Sequence, residues 1–309
     1  MYTRILVPLD GSPRAEEVLP YARLIGKAMG ARVDLIRVQE PLGFDIAEPE
    51  AIQFLEDVAE EVRAEAPNYL GQVVTSLEAA GLEASGSFLE GNAAALIVAE
   101  AEKEPDTLIA MSTHGRSGPG RWLLGSVTDK VLHATTGPML IIRSRGHRKV
   151  APDLRLTSLV VPLDGSPMAE QVLPHAVALA KAMFLNIILV RVTPSVTVYL
   201  REMEHPMAIF EELRKGADAE AAEYLRTVGT RLRNERGLLV EERVLHGEPP
   251  SAVVAMAHRL SENLVAMTTH GRSGAGRWIL GSVTDRVVRH CGDPVLVIRA
   301  GDGEKWGGS

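Results

Sequence analysis

ILVPLDGSP at residues 5–13 and LVVPLDGSP at residues 159–167 are nearly the same nine residues, 154 positions apart. Each is a short apolar run that ends in an Asp-Gly-Ser turn and is followed by helical periodicity. That order reads as a buried strand, its turn and a helix. Farther along, THGRSGPGRWLLGSVTD at 113–129 returns as THGRSGAGRWILGSVTD at 269–285, differing only at Pro119/Ala275 and Leu123/Ile279. The offset has grown to 156, so the second copy gained two residues in between. A period this long lies far above the roughly 20–50 residues of a solenoid repeat, so a whole domain is duplicated. The polar, basic stretch RSRGHRKVAPDLRLT at 143–157 is the seam. The expected division is a domain at 1–143, a linker at 144–157, a domain at 158–300 and a tail at 301–309.

Working outward, each copy alternates apolar runs with helical stretches. The first copy predicts strands at Arg4–Leu9, Arg32–Val38, Ala84–Leu89, Thr107–Met111 and Met139–Ile142, with helices at Arg14–Met29, Pro49–Ala80, Ala93–Glu102 and Ser126–His133. The second predicts strands at Ser158–Val161, Asn186–Val192, Val240–Leu245, Leu264–Met267 and Val295–Ile298. Five parallel strands with right-handed crossovers make an α/β, doubly wound sheet of order 3-2-1-4-5 in each copy. Pro20 and Pro174 fall where an interior proline costs about 3 kcal/mol, so that helix is kinked or starts later than its pattern suggests, and Pro67 is expected to interrupt the second helix. The closing strands PMLIIR and PVLVIR, if they are sheet edges, need a partner. They predict edge-to-edge pairing between the two copies or with a second chain, as a homodimer.

Composition narrows the function. The chain has 309 residues, 46% hydrophobic and 24% charged, with a formal net charge of -7. An acidic balance argues against nonspecific nucleic-acid binding. The single Cys291 excludes an intramolecular disulfide and reads as a small packed residue. No apolar run is long enough to span a membrane. MYTRILVPLD enters a strand directly, without a signal-peptide pattern, so the expected location is the cytoplasm.

In such sheets ligands sit beyond the carboxyl ends of the strands at the switch point, here between strands one and four. Both duplicated segments directly follow those strands. Pro8, Asp10, Gly11 and Ser12, with Pro162, Asp164, Gly165 and Ser166, offer an acceptor for a ribose hydroxyl, a base or a metal beside phosphates. The same residues equally suit a plain turn and helix cap. In the second segment, Gly115, Gly118, Gly120 and Gly125 let backbone amides approach an anion. Arg116 and Arg121 add charge, and Ser126, followed by Val127, opens a helix with Asp129 placed as in a capping box. Gly271, Arg272, Gly274, Gly281, Ser282 and Val283 repeat this. His114 and His270 open the loops as hydrogen-bonding residues, without a paired nucleophile or orienting acid. Trp122 and Trp278 are expected to anchor the loops. The remaining histidines share no metal spacing, and neither a catalytic residue nor a metal site is expected. No P-loop, dinucleotide fingerprint or nucleophile elbow is present.

At these motifs, the strand ending VPLDGS, the loop THGRSGxGRWxLGSVTD and the final PVLVIR, the chain resembles the universal stress protein family, as two UspA-type domains in tandem. The resemblance implies the adenine nucleotide alpha hydrolase-like fold. It also implies the nucleotide-binding pattern G-x2-G-x9-G-[ST], whose later positions fall on Gly115 with Gly125-Ser126 and on Gly271 with Gly281-Ser282. It places Asp10 and Asp164 at the nucleotide, and Val38 and Val192 beside the adenine. The first glycine of the pattern is Ser112 in one copy and Thr268 in the other. A Cβ there is costly if the position needs a left-handed backbone, and harmless if it is an ordinary strand end. The resulting expectation is a tandem universal stress protein that binds ATP or a related adenine nucleotide, with Mg2+ accompanying the phosphates, as a regulatory ligand in stress response. An interaction module without nucleotide, and a slow hydrolase, stand as alternatives.

Overall fold

The computed structural model describes residues 1–41, 49–113, 124–144, 154–194, 207–269 and 280–300. The chain divides into two compact units, Met1–Leu154 and Arg155–Ser309.

The first unit runs β1 (Arg4–Pro8), a 3-10 turn (Ala15–Val18), α1 (Leu19–Met29), β2 (Arg32–Gln39), α2 (Pro49–Ala79), β3 (Ala84–Glu90), α3 (Ala93–Glu102), β4 (Thr107–Ser112), α4 (Ser126–Ala134) and β5 (Met139–Ile142). Its strands pair in parallel in the order β3-β2-β1-β4-β5. The inner strands β1 and β4 are buried almost throughout, as both faces of a parallel sheet must be when helices cover them.

The second unit repeats this with β6 (Ser158–Pro162), α5 (Pro167–Glu170), α6 (Leu173–Met183), β7 (Asn186–Thr193), α7 (Met207–Arg236), β8 (Val240–His246), α8 (Pro249–Ala257), β9 (Asn263–Thr268), α9 (Ser282–His290) and β10 (Val295–Ile298). Within it the order is β8-β7-β6-β9-β10, again parallel. Every strand lies within one residue of its expected bounds.

Of the two options left open at Pro20 and Pro174, the later start is the one adopted. A short helical turn precedes each, and the α-helix begins at Leu19 or Leu173 with proline in its first turn, where no intrahelical donor is lost. Pro67 departs from expectation, because α2 continues past it to Ala79. Its ring is exposed while Ala66 and Leu70 on either side are buried, so packing of the flanking apolar face outweighs one missing backbone bond.

One buried ion cluster of the first unit has no counterpart in the second. In the first unit Arg4 is 4% exposed, with Nε 2.6 Å from Asp34 Oδ2 and Nη2 3.0 Å from Glu100 Oε1. The corresponding positions of the second unit are Ser158, Ile188 and Met256, all buried.

Candidate functional site

Each unit opens a cavity at the carboxyl ends of its inner strands. In the first it measures about 380 Å³ and is walled by Pro8 at the end of β1 with Leu9 and Asp10 after it, Arg37, Val38 and Gln39 on β2, Met111 and Ser112 on β4, and Gly125 to Thr128 at the start of α4. In the second it measures about 260 Å³, with Pro162, Leu163, Asp164, Val192, Thr268 and Gly281 to Thr284 in the same places. This is the crevice between the first and fourth strands where the winding reverses.

The aspartate turn is built identically twice. Asp10 Oδ1 accepts the Ser12 amide at 2.9 Å, and Asp164 Oδ1 accepts the Ser166 amide at 2.9 Å. Gly11 and Gly165 hold φ of +81° and +85°, the left-handed conformation that makes the turn. Ser12 Oγ and Ser166 Oγ each accept an amide three residues on, at 3.2 Å. These four residues shape and cap the turn from behind, and the carboxylates Asp10 and Asp164 are what line the cavities.

The start of α4 differs from the capping box read in the sequence. Gly125 is the N-cap, Ser126 is already the first helical residue, and no side chain caps the helix; Gly281 and Ser282 repeat this. The cause is tertiary. Gly125 N–H donates to Thr113 O at 2.6 Å, and Thr128 Oγ1 donates to Ser112 O at 2.9 Å, which draws the helix terminus onto the end of β4. The second unit makes the same bonds at 2.8 Å and 2.8 Å, through Gly281 and Thr284. An uncapped helix N-terminus thus opens onto each cavity, with its amides and the positive end of its dipole available to an anion.

Ser112 and Thr268 are ordinary strand ends. They pair in register with Ile142 and Ile298 and are absent from the few residues with positive φ. Their Cβ atoms therefore cost no backbone strain. His114, Gly115, Arg116, Gly118, Gly120, Arg121 and Trp122 lie outside the described residues. So do His270, Gly271, Arg272, Gly274 and Trp278.

Several residues of the site carried no motif. Arg37, 5% exposed, packs its guanidinium against Gly11 and over the Tyr69 ring at 5.4 Å. Tyr69 Oη donates to Glu16 at 2.9 Å. Arg191, Tyr224 and Glu170 form the same stack, at 5.2 Å and 2.9 Å. Burial, with the charge of the glutamate and then of the turn aspartate, pushes both phenols well above their ordinary value, so each stays a neutral donor. The stack braces the aspartate turn, and in the first unit Arg37 also lines the cavity. Matching identities across the repeat would have exposed it, because Arg37 and Arg191 stand at the same 154-residue offset as the motifs. The apolar wall of Val58, Ala59 and Val62 on α2 left no such signal.

Among the described residues no helix is long and apolar enough to cross a membrane, and no cluster of acidic, histidine or cysteine side chains could hold a metal. Cys291 is buried and forms no disulfide.

The model of the universal stress protein family matches residues 1–143 and 156–299. A universal stress protein of Mycolicibacterium smegmatis is 26% identical over 297 residues, covering 96% of this chain and 96% of its own length. One from Thermus aquaticus is 34% identical over 146 residues, 46% of this chain and 100% of itself. Among solved structures, a universal stress protein from Archaeoglobus fulgidus shares the fold with a TM-score of 0.70 at 24% identity, over 97% of this chain and 100% of its own.

Proposed function

The chain belongs to the universal stress protein family as a tandem of two such domains, and from that premise we propose that it binds ATP, or a related adenine nucleotide, as a regulatory or sensing ligand in stress response. The observation that carries this reading is the repeated pairing, in one cavity, of an uncapped helix N-terminus with an aspartate carboxylate. The amides of Ser126 and Val127, or of Ser282 and Val283, suit phosphate oxygens. Asp10 or Asp164 suits the ribose hydroxyls. The wall that includes Val38, Val58 and Val62 suits a flat base.

The fit to Mg2+ is indirect. Asp10 and Glu40 in the first cavity, and Asp164 alone in the second, supply too few oxygens for a dedicated site, so the ion would take most of its ligands from phosphates and water. Binding rather than turnover is the proposed act, because neither cavity pairs a base with a nucleophile among the described residues. The same proposal includes a cytoplasmic location and self-association through β5 and β10, each last in the strand order of its own unit.

The test is release of bound nucleotide from the denatured, purified protein, identified by mass spectrometry, together with thermal stabilisation by added ATP. Absence of both at millimolar ATP with Mg2+ overturns the reading. Turnover above about 1 s⁻¹, the low end of ordinary enzymes, would instead favour a hydrolase.

A further inference from the structure

Strands β3 and β8 stand first in the strand order of their units, and their outer edges are finished differently. In the first unit Val33 N–H donates to Glu83 O, and Gly91 N–H donates to Gln39 O. Backbone groups alternate in direction along a strand, so Ala84, Gly86 and Phe88 turn theirs away from β2. Among the described residues nothing hydrogen-bonds to those outward groups, and Ser85, Gly86 and Ser87 are exposed.

In the second unit Ile187 N–H donates to Leu239 O and Gly247 N–H to Thr193 O, which turns Val240 and Glu242 outward on β8. There the Val240 carbonyl accepts from Arg233 Nη2 of α7 at 2.7 Å, and the same nitrogen holds Glu242 Oε1 at 2.6 Å. Arg243 and Glu241 form a further ion pair at 2.6 Å. Charges on an edge strand, and a guanidinium seated on its carbonyl, keep other strands away.

The first unit has none of these guards. Counting from Tyr69 and Tyr224 in the helices, and from Glu90 and His246 in the strands, Glu78 stands for Arg233, Gly86 for Glu242 and Ser87 for Arg243. Between Glu83 and Glu90 the strand carries no charge. On the outer flank of α2, Gly71 stands for Arg226, so the neighbouring helix is low there too. A flat, uncharged edge with open donors and acceptors is a template for an added strand.

We propose that β3 pairs antiparallel with β3 of a second copy of this chain, about a two-fold axis at Gly86. The strand's own sequence selects that occupant. With Gly86 on the axis, Ala84 faces the partner's Phe88 and Ser85 faces the partner's Ser87. The same register sets Glu83 against the partner's Leu89 and Glu90 against the partner's Leu82, so no two acids meet. The outward groups then make about six inter-strand hydrogen bonds. A contact between identical edges is isologous and closes as a dimer rather than growing into a filament. The proposal is independent of the nucleotide reading.

The experiment is sedimentation velocity of the full chain from micromolar to tens of micromolar. A dimer is expected. Glu78→Arg with Ser87→Arg, which copies the second unit's residues onto two exposed positions, should weaken it at least about tenfold. The register is read by cysteines: Ser85→Cys with Ser87→Cys should join two chains on oxidation, whereas neither single variant should, because only the unlike pair lies opposite across the axis. A chain that stays monomeric overturns the proposal. So does a dimer undisturbed by the two arginines, which places the contact elsewhere, or cross-linking of the single variants as efficient as that of the double. If the arginine variant melts early, the cysteine cross-link decides alone.

Discussion

In the first unit the Glu40 carboxylate accepts the Ala93 amide at 3.1 Å, tying the end of β2 to the start of α3. In the second the corresponding residues are Pro194 and Pro249, so the acceptor and the donor have gone together. Beside them, Arg63 of α2 pairs with Glu90 of β3 at 2.6 Å, whereas Asp218 of α7 faces His246 of β8 at 3.5 Å, with the polarity reversed. The buried cluster of Arg4, Asp34 and Glu100 has likewise become Ser158, Ile188 and Met256. Against these changes stand the aspartate turn, the arginine–tyrosine–glutamate brace, the threonine pin and the uncapped helix, kept bond for bond. The difference teaches where the constraint lies. Groups that aim backbone amides and one carboxylate into the crevice are held in both units. Groups that merely close the wall or fill the core have exchanged one satisfied solution for another.

The largest expected effect tests the shared end. Gly125→Val with Gly281→Val should cost ATP binding at least about a hundredfold, because the added side chains crowd the helix terminus. Circular dichroism and the melting temperature should hold. Calorimetry that still finds tight binding in the double variant would move the phosphate elsewhere.

Next comes the buried cluster, which belongs to one unit only. Arg4→Met should destabilise the first unit by about 3–5 kcal/mol, since two carboxylates lose their shared partner. Replacing all three by the second unit's residues, Arg4→Ser, Asp34→Ile and Glu100→Met, should be close to neutral. Hydrogen exchange of peptides from β1 and β4, against those from β6 and β9, reads this unit by unit. The acid limb follows from the same cluster. Lys103 and then Arg4 hold the Glu100 carboxyl below its ordinary 4.5, so its contribution is complete above that value and is lost as pH falls through the depressed one. Met256 has no proton to take up, so the first unit should open before the second as pH is lowered below 4.5. Simultaneous loss of protection in both would remove the cluster as the cause.

A smaller effect probes the brace. Gly11→Ala forces a Cβ to 3.3 Å from the Arg37 guanidinium at φ +81° and should cost about 1–2 kcal/mol, with weaker ATP binding confined to the first pocket. Unchanged urea denaturation would mean that the turn relaxes freely. The smallest effect runs the other way. Phe184 ends α6 at φ +56° with 93% of its surface exposed, where the first unit has Gly30 at φ +65°. Phe184→Gly should relieve that strain and stabilise the second unit by about 0.5–1 kcal/mol. A lower urea midpoint would show instead that the ring stabilises its surroundings.

Much of this was legible in advance. Parallel strands buried on both faces announce themselves as short apolar runs, so their order and bounds followed from the pattern. Duplication then marked Asp10, Gly125 and their twins, because those segments survive the repeat nearly unchanged, while Ser112 and Thr268 were marked by the family's glycine pattern. Three readings went astray or were out of reach for a common reason. Pro67 breaks a helix by local rules but sits on a solvent face between buried neighbours. Ser126 looks like a cap until Thr113 and Thr128 draw Gly125 into that role. Gln39 is an unremarkable strand residue until α2 folds back to place Ala59 beside it.

By itself the sequence determined that one α/β domain occurs twice and that each copy carries an aspartate turn and a helix start beyond its first and fourth strands. Only the tertiary structure decided which backbone groups remain uncapped, which carboxylates line a cavity and which strand edge is left open. Strand and turn preferences are local, set within a few residues by burial and backbone sterics. Whether a polar group is satisfied depends on what another element, far along the chain, brings to within hydrogen-bonding distance.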